Sequence, residues 1–201
     1  MGMAGRGAVE IILLAAGASR RMGGRDKLLE SAGGEALIRR VARAALASDA
    51  GQVHVVVPAG CSGRRAALDG LGVRVVENPG AAEGMAASIR VGVCAVSGQA
   101  GAVIVALADM PDLTGRDYNA LIRAWAETGR ICRAATAEGV PGHPVLFPRR
   151  FFGGLARLSG DRGARAVLTR AADEVRLVRL PGQRAGTDLD TPQDWQRWRG
   201  G

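Results

Sequence analysis

The stretch IILLAAGASRRMGGRDKLL, residues 11–29, joins an apolar run to a loop of small and basic residues. The run from Val9 to Ala15 has the length and, apart from Glu10, the hydrophobicity of a buried strand. Behind it the loop carries glycines at positions 17, 23 and 24 and small residues at positions 15, 16 and 18. Small side chains let backbone N–H groups approach phosphate oxygens, and basic side chains add positive charge around them. The stretch therefore predicts a strand that leads into an anion-binding loop.

Lys27 is the one lysine of the chain, which holds 27 Lys and Arg residues in total. Lysine is a mobile point charge that can follow a phosphoryl group, whereas arginine favours fixed bidentate contacts. We therefore expect Lys27, together with Arg20, Arg21 and Arg25, to supply positive charge around a bound phosphate. The loop matches neither the Walker A pattern nor the dinucleotide fingerprint, so an ordinary surface turn stays open as the alternative.

Other short apolar runs bounded by Gly, Pro or Asp are also interpreted as buried strands. They are Val53 to Val57, Val73 to Val76, Val103 to Leu107, Val145 to Phe147 and Val175 to Leu180. Helical patterns occupy 36–47, 85–96 and 114–125, the last behind a capping pair of Thr114 and Asp117. Strands that alternate with helices predict an α/β, Rossmann-like three-layer fold, with a mostly parallel central sheet flanked by helices.

Length and charge narrow the class of protein. The 201 residues suit a single domain over 1–201, with an ordered core from about residue 8 to residue 198. The formal charge of +8 favours anionic partners. Aromatic residues make up only 3% and the arginines are dispersed along the chain, which argues against a nucleic-acid partner.

Cysteine usage and hydropathy predict the compartment. Cys61, Cys94 and Cys132 are far apart and lack C-x-x-C spacing, so neither a disulfide framework nor a zinc site is indicated. The sequence has no signal-peptide pattern and no apolar run of about 18 residues. We expect a cytoplasmic protein that does not associate with a membrane.

Carboxylates near the ends of predicted strands are the candidate metal ligands. Asp109 directly follows the run VIVALA, and ligands of open α/β sheets bind beyond the carboxyl ends of strands. Asp188 and Asp190 lie two apart in TDLDTPQDW, so in an extended segment they point to the same side while Leu189 turns to the core. We expect Asp109 and Asp190 to hold Mg²⁺, or Mn²⁺ in its place, with Asp188 as an outer or substitute ligand. Asp194 is interpreted as the N3 residue of a helix capped by Thr191.

Candidates for binding a second substrate lie further along the chain. His143 stands in a Gly/Pro turn before a strand, where contact with a substrate and stabilisation of the turn both stay open. Arg162 and Arg165 lie three apart in GDRGARAVLTRA, which is interpreted as a helix capped by Asp161, and they either bind phosphate or face water. His54, inside a predicted strand, is interpreted as a hydrogen-bonded sheet residue.

The loop and the motifs that follow it in order resemble one family. The pattern L-A-A-G-x-S-x-R-M-G-x-x-x-K-L resembles the nucleotide-binding signature of the MobA-like nucleotidyltransferase superfamily, which includes the molybdenum cofactor guanylyl- and cytidylyltransferases. The loop has one more residue between Gly23 and Lys27 than the guanylyltransferase pattern. Later motifs are similar to the cytidylyltransferase branch: NPGAAEGMAASIRVG (78–92), ALADMP (106–111), GHPVLFPRRFF (142–152), GDRGARAVL (160–168) and DLDTPQDW (188–195).

The resemblance implies a fold of the nucleotide-diphospho-sugar transferase type and a reaction. That reaction is Mg²⁺-dependent transfer of CMP from CTP to the terminal phosphate of a molybdopterin-type molybdenum cofactor, with release of pyrophosphate. It makes Lys27, Arg20 and Asp109 the catalytic residues and His143, Arg162 and Arg165 the binders of the cofactor substrate. The implied nucleotide-binding residues are Leu14, Ala15, Ala16, Gly17, Ser19, Arg20, Lys27, Asn78, Gly84 and Ser88.

Several alternatives remain from the sequence. The same residue set would serve a guanylyltransferase of that cofactor, or a nucleotidyltransferase for a sugar or alcohol phosphate. A non-catalytic carrier that binds the anionic cofactor and delivers it to a molybdoenzyme or a chaperone is an alternative of another class. Such a carrier would not need the two metal carboxylates, which is why an enzyme is the favoured interpretation.

Overall fold

The computed structural model describes residues 7–160 and 163–200, and their strands and helices alternate along the chain. The strands are β1 (Ala8–Leu14), β2 (Ser31–Ala32), β3 (Glu35–Ala36), β4 (Val53–Pro58), β5 (Arg74–Asn78), β6 (Ala100–Leu107), β7 (Ile131–Ala135), β8 (Pro141–Pro148) and β9 (Val175–Arg179). The helices are α1 (Leu37–Leu46), α2 (Ser62–Ala67), α3 (Met85–Ala95), α4 (Gly115–Thr128), α5 (Phe152–Leu155), α6 (Arg165–Arg170) and α7 (Pro192–Gly200).

The central sheet has seven strands in the order β5-β4-β1-β6-β8-β7-β9, and β2 pairs with β3 in a separate hairpin. Only β8 runs against its neighbours, since it is antiparallel to both β6 and β7 while the other pairs of the sheet are parallel. The mostly parallel, Rossmann-like arrangement predicted from the sequence is therefore confirmed.

Alternation along β1 divides the core into two layers. Ile11 and Leu13 face the layer that contains α1, α4 and α7, whereas Ile12 and Leu14 face the layer of α3, α5 and α6. Successive side chains of a strand point to opposite faces of a sheet, so a strand whose residues 11–14 are all apolar must be covered on both sides. The flanking helices provide that cover, and no described helix is long and apolar enough to cross a membrane.

Most element predictions agree with the structure. The capping box of Thr114 and Asp117 is present at the start of α4. The helical pattern of 85–96 places Met85 on the same face as Ile89 and Val93, but Met85 is 39% exposed. The described part of the helix predicted after Asp161 starts at Arg165, and Asp161 and Arg162 lie outside the described residues.

The strand β7 was not predicted. Its sequence ICRAA has one β-branched residue and a partly buried Arg133, so it lacks the apolar continuity of the other strands. It forms because β8 and β9 pair with it on both sides. Its position between them is a tertiary effect that local sequence does not encode.

The topology fixes where a ligand can enter. From β1 the chain moves first to β4 and β5 on one side and then to β6 on the other side. In open α/β sheets such a change of direction leaves a crevice beyond the carboxyl ends of the two central strands. Leu14 and Leu107 end β1 and β6, and the Ala108 N–H donates to the Leu14 carbonyl at 3.1 Å. The loop after β1 and Asp109 after β6 therefore meet at this crevice.

Candidate functional site

The loop after β1 forms one wall of a cavity of about 680 Å³. Eight of the ten residues predicted to bind nucleotide line this cavity: Leu14, Ala16, Gly17, Ser19, Arg20, Lys27, Gly84 and Ser88. A Cβ added at Gly17 would meet no protein atom within 4 Å, so protein packing does not require a glycine there. The open space beside Gly17 belongs to the cavity, where it leaves room for a ligand.

The other two predicted nucleotide-binding residues lie behind the cavity wall. Ala15 is 1% exposed and its side chain belongs to the core. Asn78, also buried, donates to the Ser88 Oγ at 3.0 Å and accepts from the Gly80 N–H at 2.9 Å. The Asn78 side chain thus fixes the segment that leads into α3, and its amide is already used within the protein.

Three carboxylates converge where the predicted metal site lies. Asp109, Asp188 and Asp190 each offer an oxygen, and these oxygens all lie within 4.8 Å of one another. Leu189 between them is 1% exposed, as the two-residue spacing predicted, and its N–H donates to the Asp109 carbonyl at 3.0 Å. That backbone bond holds the 188–190 segment against the end of β6. Burial, and then the negative charges of Asp109 and Asp190, raise the pKa of Asp188.

Lys27 lies between two of these carboxylates. Its Nζ is 2.5 Å from Asp109 Oδ2 and 2.5 Å from Asp190 Oδ1. Burial alone would lower the pKa of Lys27, but the attraction and hydrogen bonds of Asp109 and Asp190 outweigh it, so the pKa is raised. The sequence predicted that Lys27 would reach a phosphate, and it did not predict this contact between the lysine and the metal carboxylates.

Arg21 makes a contact with Asp190 that the sequence did not predict. Its Nη2 lies 2.5 Å from Asp190 Oδ2, while its side chain is 68% exposed. Arg20, the arginine predicted to bind nucleotide, lines the cavity beside it. Both arginines therefore flank the cavity, but of these two described residues only Arg21 pairs with one of the three carboxylates.

The donor set fits a hard divalent cation. Mg²⁺ and Mn²⁺ prefer carboxylate oxygens, and three such groups meet here. Asp109 Oδ1 is buried and has no hydrogen-bond partner among residues 7–160 and 163–200. A buried carboxylate oxygen without a partner is costly, and a metal ion at this position would satisfy it.

Asp194 has the contacts expected of a helix cap. Its Oδ2 accepts from the Thr191 N–H at 2.8 Å and from the Thr191 Oγ1 at 2.7 Å, and the Asp194 N–H donates back to Thr191 Oγ1 at 3.2 Å. Asp194 also accepts from the Asp190 N–H at 3.2 Å. The cap thus holds the segment that carries Asp190, while the metal-site geometry itself involves the other three acids.

A second cavity of about 600 Å³ adjoins the first, and Met85 lines both. Of the predicted binders of a second substrate, His143 and Arg165 line this cavity, whereas Arg162 lies outside the described residues. Arg133 also lines it and was missed, because it belongs to the unpredicted strand β7. Much of the remaining wall is apolar: Ile89, Val105, Val145, Phe147, Leu168, Val175 and Leu177.

The charged residues that line the second cavity in the described part of the chain are both arginines, Arg133 and Arg165. Burial, and then the nearby charge of Arg165, lower the pKa of Arg133. Burial, and then the charge of Arg133, lower the pKa of His143, which favours neutral imidazole. Within the described part of the chain neither arginine pairs with a carboxylate, so the cavity suits an anion that also carries an apolar surface.

Arg64 is a further residue that the sequence analysis missed. It belongs to the short helix α2, is 4% exposed and contacts both ends of the loop after β1. Its Nε and Nη2 donate to the two carboxylate oxygens of Asp26 at 2.7 and 2.9 Å. Its Nη1 donates to the Ala15 carbonyl at 2.5 Å and its Nη2 to the Gly17 carbonyl at 2.8 Å. In a chain this rich in arginine, nothing local distinguishes Arg64 from its neighbours.

Similarity to known proteins extends over nearly the whole chain. Nicotine blue oxidoreductase of Paenarthrobacter nicotinovorans is 30% identical, over 92% of this chain and 94% of its own length. The bifunctional enzyme IspD/IspF of Anaeromyxobacter sp. (strain Fw109-5) is 33% identical over 95% of this chain, which spans 56% of that enzyme.

Solved structures agree with the fold. Rv0371c from Mycobacterium tuberculosis superposes with a TM-score of 0.85 at 29% identity, covering 98% of this chain and 100% of that one. A manganese complex of Rv0371c superposes with a TM-score of 0.77 at 27% identity, over 94% of this chain and 97% of that one.

The match to a family model includes the loop, Lys27, Asp109 and His143. The model of the MobA-like NTP transferase domain covers residues 11–175, so the segment with Asp188 and Asp190 follows the matched region. The strand order, the crevice and the acidic cluster are all consistent with a fold of the nucleotide-diphospho-sugar transferase type. The chain belongs to the MobA-like NTP transferase domain family.

Proposed function

We propose that this protein transfers CMP from CTP to the terminal phosphate of a molybdopterin-type molybdenum cofactor and releases pyrophosphate. The observation that carries the proposal is the acidic cluster at the crevice. Asp109, Asp188 and Asp190 converge beside a cavity that the phosphate loop lines. Lys27 reaches two of them at 2.5 Å. This combination serves a magnesium triphosphate, whose charge must be balanced during transfer.

For this reaction the protein must position the two substrates and stabilise the charge on their phosphates. An oxygen of the acceptor phosphate attacks the α-phosphorus of CTP in line, and the bond to the bridging oxygen of pyrophosphate breaks. Asp109 and Asp190 would hold Mg²⁺ or Mn²⁺, with Asp188 as a further ligand, and the ion would supply charge neutralisation at the phosphate oxygens. Lys27 and Arg20 offset the negative charge on the triphosphate. Arg21 lies close enough to Asp190 to orient that carboxylate.

The second cavity is the proposed site of the acceptor. It adjoins the nucleotide cavity at Met85, so a substrate there would lie next to the bound nucleotide. Arg133 and Arg165 suit the acceptor phosphate, and the apolar wall suits a flat ring system. His143, on the same wall, would donate or accept a hydrogen bond as neutral imidazole. Arg162 remains a predicted binder of this substrate.

The choice of base is proposed from Ala16. Its methyl group lines the nucleotide cavity, where the guanylyltransferase relatives are expected to carry glycine. Added volume at that position favours a pyrimidine over a purine, but one methyl group discriminates by only about 1–3 kcal/mol. We expect Ala16→Gly to relax the preference for CTP without reversing it.

The test is a panel of nucleotides with molybdopterin cofactor and Mg²⁺, in which pyrophosphate release is measured. The proposal expects release with CTP and much less with GTP, UTP or dTTP. Release with GTP instead would indicate guanylyl transfer. Release only with a sugar or alcohol phosphate would show that this phosphate, and not the molybdopterin cofactor, is the acceptor. A protein that binds the cofactor but releases no pyrophosphate would be a carrier. A partner molybdoenzyme or chaperone would be sought by testing whether the product transfers to an apo-enzyme.

A further inference from the structure

We infer that Arg64 is a positioning residue of the phosphate loop, which it braces from behind so that the amide N–H groups of Ala16 and Ala18 face the nucleotide cavity. The inference rests on the proposed nucleotide site and adds how the loop of that site acquires its shape. Arg64 itself does not line the cavity. It acts on the loop through three groups: the carbonyl of Ala15, the carbonyl of Gly17 and the carboxylate of Asp26.

The two carbonyl contacts determine the direction of the amides. The peptide bonds after Ala15 and Gly17 are trans, and in a planar trans peptide the C=O and the N–H point to opposite sides. Because both carbonyls point back to the buried guanidinium, the N–H groups of Ala16 and Ala18 point away from it. Ala16 and Ala18 line the cavity.

These amides are available to a ligand. Within residues 7–160 and 163–200 neither N–H has a hydrogen-bond acceptor, whereas the Ala15 N–H just before them donates to the Val56 carbonyl at 2.8 Å. Two amides without internal partners, on either side of Gly17 in a loop that carries no side chain beyond a methyl group at 15–18, form a binding surface for phosphate oxygens. Two donors so placed would contact the triphosphate whatever its base.

Asp26 connects the same brace to the catalytic lysine. Besides pairing with Arg64, its Oδ1 accepts from the Leu28 N–H at 3.0 Å and lies 3.4 Å from the Ser19 Oγ. The Ser19 Oγ accepts in turn from the Lys27 N–H at 3.2 Å. Arg64 therefore fixes the entry of the loop at 15–17 and its exit at 26–28, so its removal should disturb the loop as a whole.

A purely structural role is the competing explanation, because a buried, fully paired arginine also stabilises the fold. Binding of inorganic tripolyphosphate separates the two roles, since this probe needs neither base nor acceptor. We expect Arg64→Met to weaken tripolyphosphate binding, measured by calorimetry, and to raise the KM for CTP, each by about tenfold or more. In the wild type, the amide signals of Ala16 and Ala18 should shift in nuclear magnetic resonance spectra when tripolyphosphate is added.

Arg65→Met is the matched control, because Arg65 belongs to the same helix, is exposed and pairs with Glu77 at 2.8 Å. It should bind tripolyphosphate as the wild type does. Arg64→Lys keeps the charge but cannot reach all three partners, so partial weakening is expected. If Arg64→Met does not fold, Arg64→Lys is judged by the same criterion.

The inference is overturned if the folded Arg64 variant melts earlier yet binds tripolyphosphate within about twofold of the wild type. It is also overturned if the wild type does not bind tripolyphosphate, or binds it with no change at Ala16 and Ala18. Failure of the proposed function is a different result. In that case tripolyphosphate binding still depends on Arg64, but CTP and molybdopterin cofactor yield no pyrophosphate.

Discussion

Two clusters of acidic and basic side chains lie at opposite ends of β1, and they differ in the balance of charge and in access. At the amino end, Glu10 Oε2 lies 2.6 Å from His54 Nε2 and accepts from the Ser97 N–H at 3.3 Å. Both side chains are buried, and neither lines either of the two cavities. At the carboxyl end, three carboxylates lie beside an open cavity, where two of them pair with the buried Lys27 and one of these also pairs with the exposed Arg21.

The difference shows how a buried polar pair that serves the fold can be distinguished from a functional site. The amino-end pair sets one acid against one base away from solvent, and although His54 Nδ1 is buried without a hydrogen-bond partner among the described residues, neither cavity opens onto it. An excess of acids at a cavity, with Asp109 Oδ1 buried and unpaired in the described part of the chain, leaves negative charge that a cation in the cavity would neutralise. We therefore expect substitutions in the carboxyl-end cluster to reduce activity and substitutions in the amino-end cluster to reduce stability.

The largest effect is expected at Asp109. Asp109→Asn should lower pyrophosphate release by about 10³-fold, because it removes a negative charge that would hold the metal ion at the triphosphate. It should also weaken binding of Mn²⁺ alone, which calorimetry measures without any substrate. Thermal melting should change little, since the cluster loses one of three neighbouring negative charges.

Asp194→Asn is the matched control for Asp109→Asn. Asp194 caps α7 through Thr191, so its replacement should cost about 0.5–2 kcal/mol of stability and leave most of the activity. An Asp194→Asn variant that is fully stable but inactive would show that the carboxylates have been assigned to the wrong roles.

Loss of Lys27 should have the next largest effect. Lys27→Ala is expected to reduce the rate by about 10², because it removes one group that stabilises developing charge. Lys27→Arg should also be impaired, since a planar guanidinium cannot replace a point charge between two carboxylates. Turnover of CTP by Lys27→Ala at the wild-type rate would contradict the role given to the only lysine.

The amino-end cluster should affect stability instead of rate. Glu10→Leu leaves His54 and the Ser97 N–H without their partner, which should cost about 1–3 kcal/mol of unfolding free energy. Urea denaturation measures that loss, and pyrophosphate release should stay within about twofold of the wild type. The double variant Glu10→Leu/His54→Leu should recover part of the stability, because both partners are then apolar. A large loss of activity in Glu10→Leu would erase the contrast between the two ends of β1.

The sequence was sufficient for the parts of the molecule that local pattern encodes. Apolar continuity predicted β1, β4 and β6, and the position after β6 predicted that Asp109 would lie at the crevice. The two-residue spacing of Asp188 and Asp190 predicted that both would face the same side. These features depend on periodicity and on the general geometry of parallel sheets, which a single sequence carries.

The parts that were missed depend on partners distant in sequence. Arg64 pairs with Asp26, 38 residues away, and nothing near either residue signals the contact. Lys27 and Asp190 are 163 residues apart, so their contact follows from the folded topology alone. Arg133 was missed with β7, whose pairing on both sides compensates for a sequence with weak strand character.

The smallest effect is expected from His143, which belongs to neither of the two clusters. Burial, and then the charge of Arg133, lower the pKa of His143 below the 6.5 of an exposed histidine. Between the lowered pKa and 6.5 the unfolded chain binds a proton that the folded protein does not, so the free energy of unfolding falls as pH drops through this window. Above the window the imidazole is neutral in both states and its contribution to the unfolding free energy is constant.

His143→Gln should therefore lose less stability than the wild type between about pH 7 and pH 5. The slopes of unfolding free energy against pH should differ by less than the one-proton limit of about 1.4 kcal/mol per pH unit. Urea denaturation series at several pH values measure the two slopes, which should coincide near pH 8. Identical slopes below pH 6.5 would mean that His143 remains accessible to protons in the folded protein, and its proposed place on the wall of the acceptor cavity would need revision.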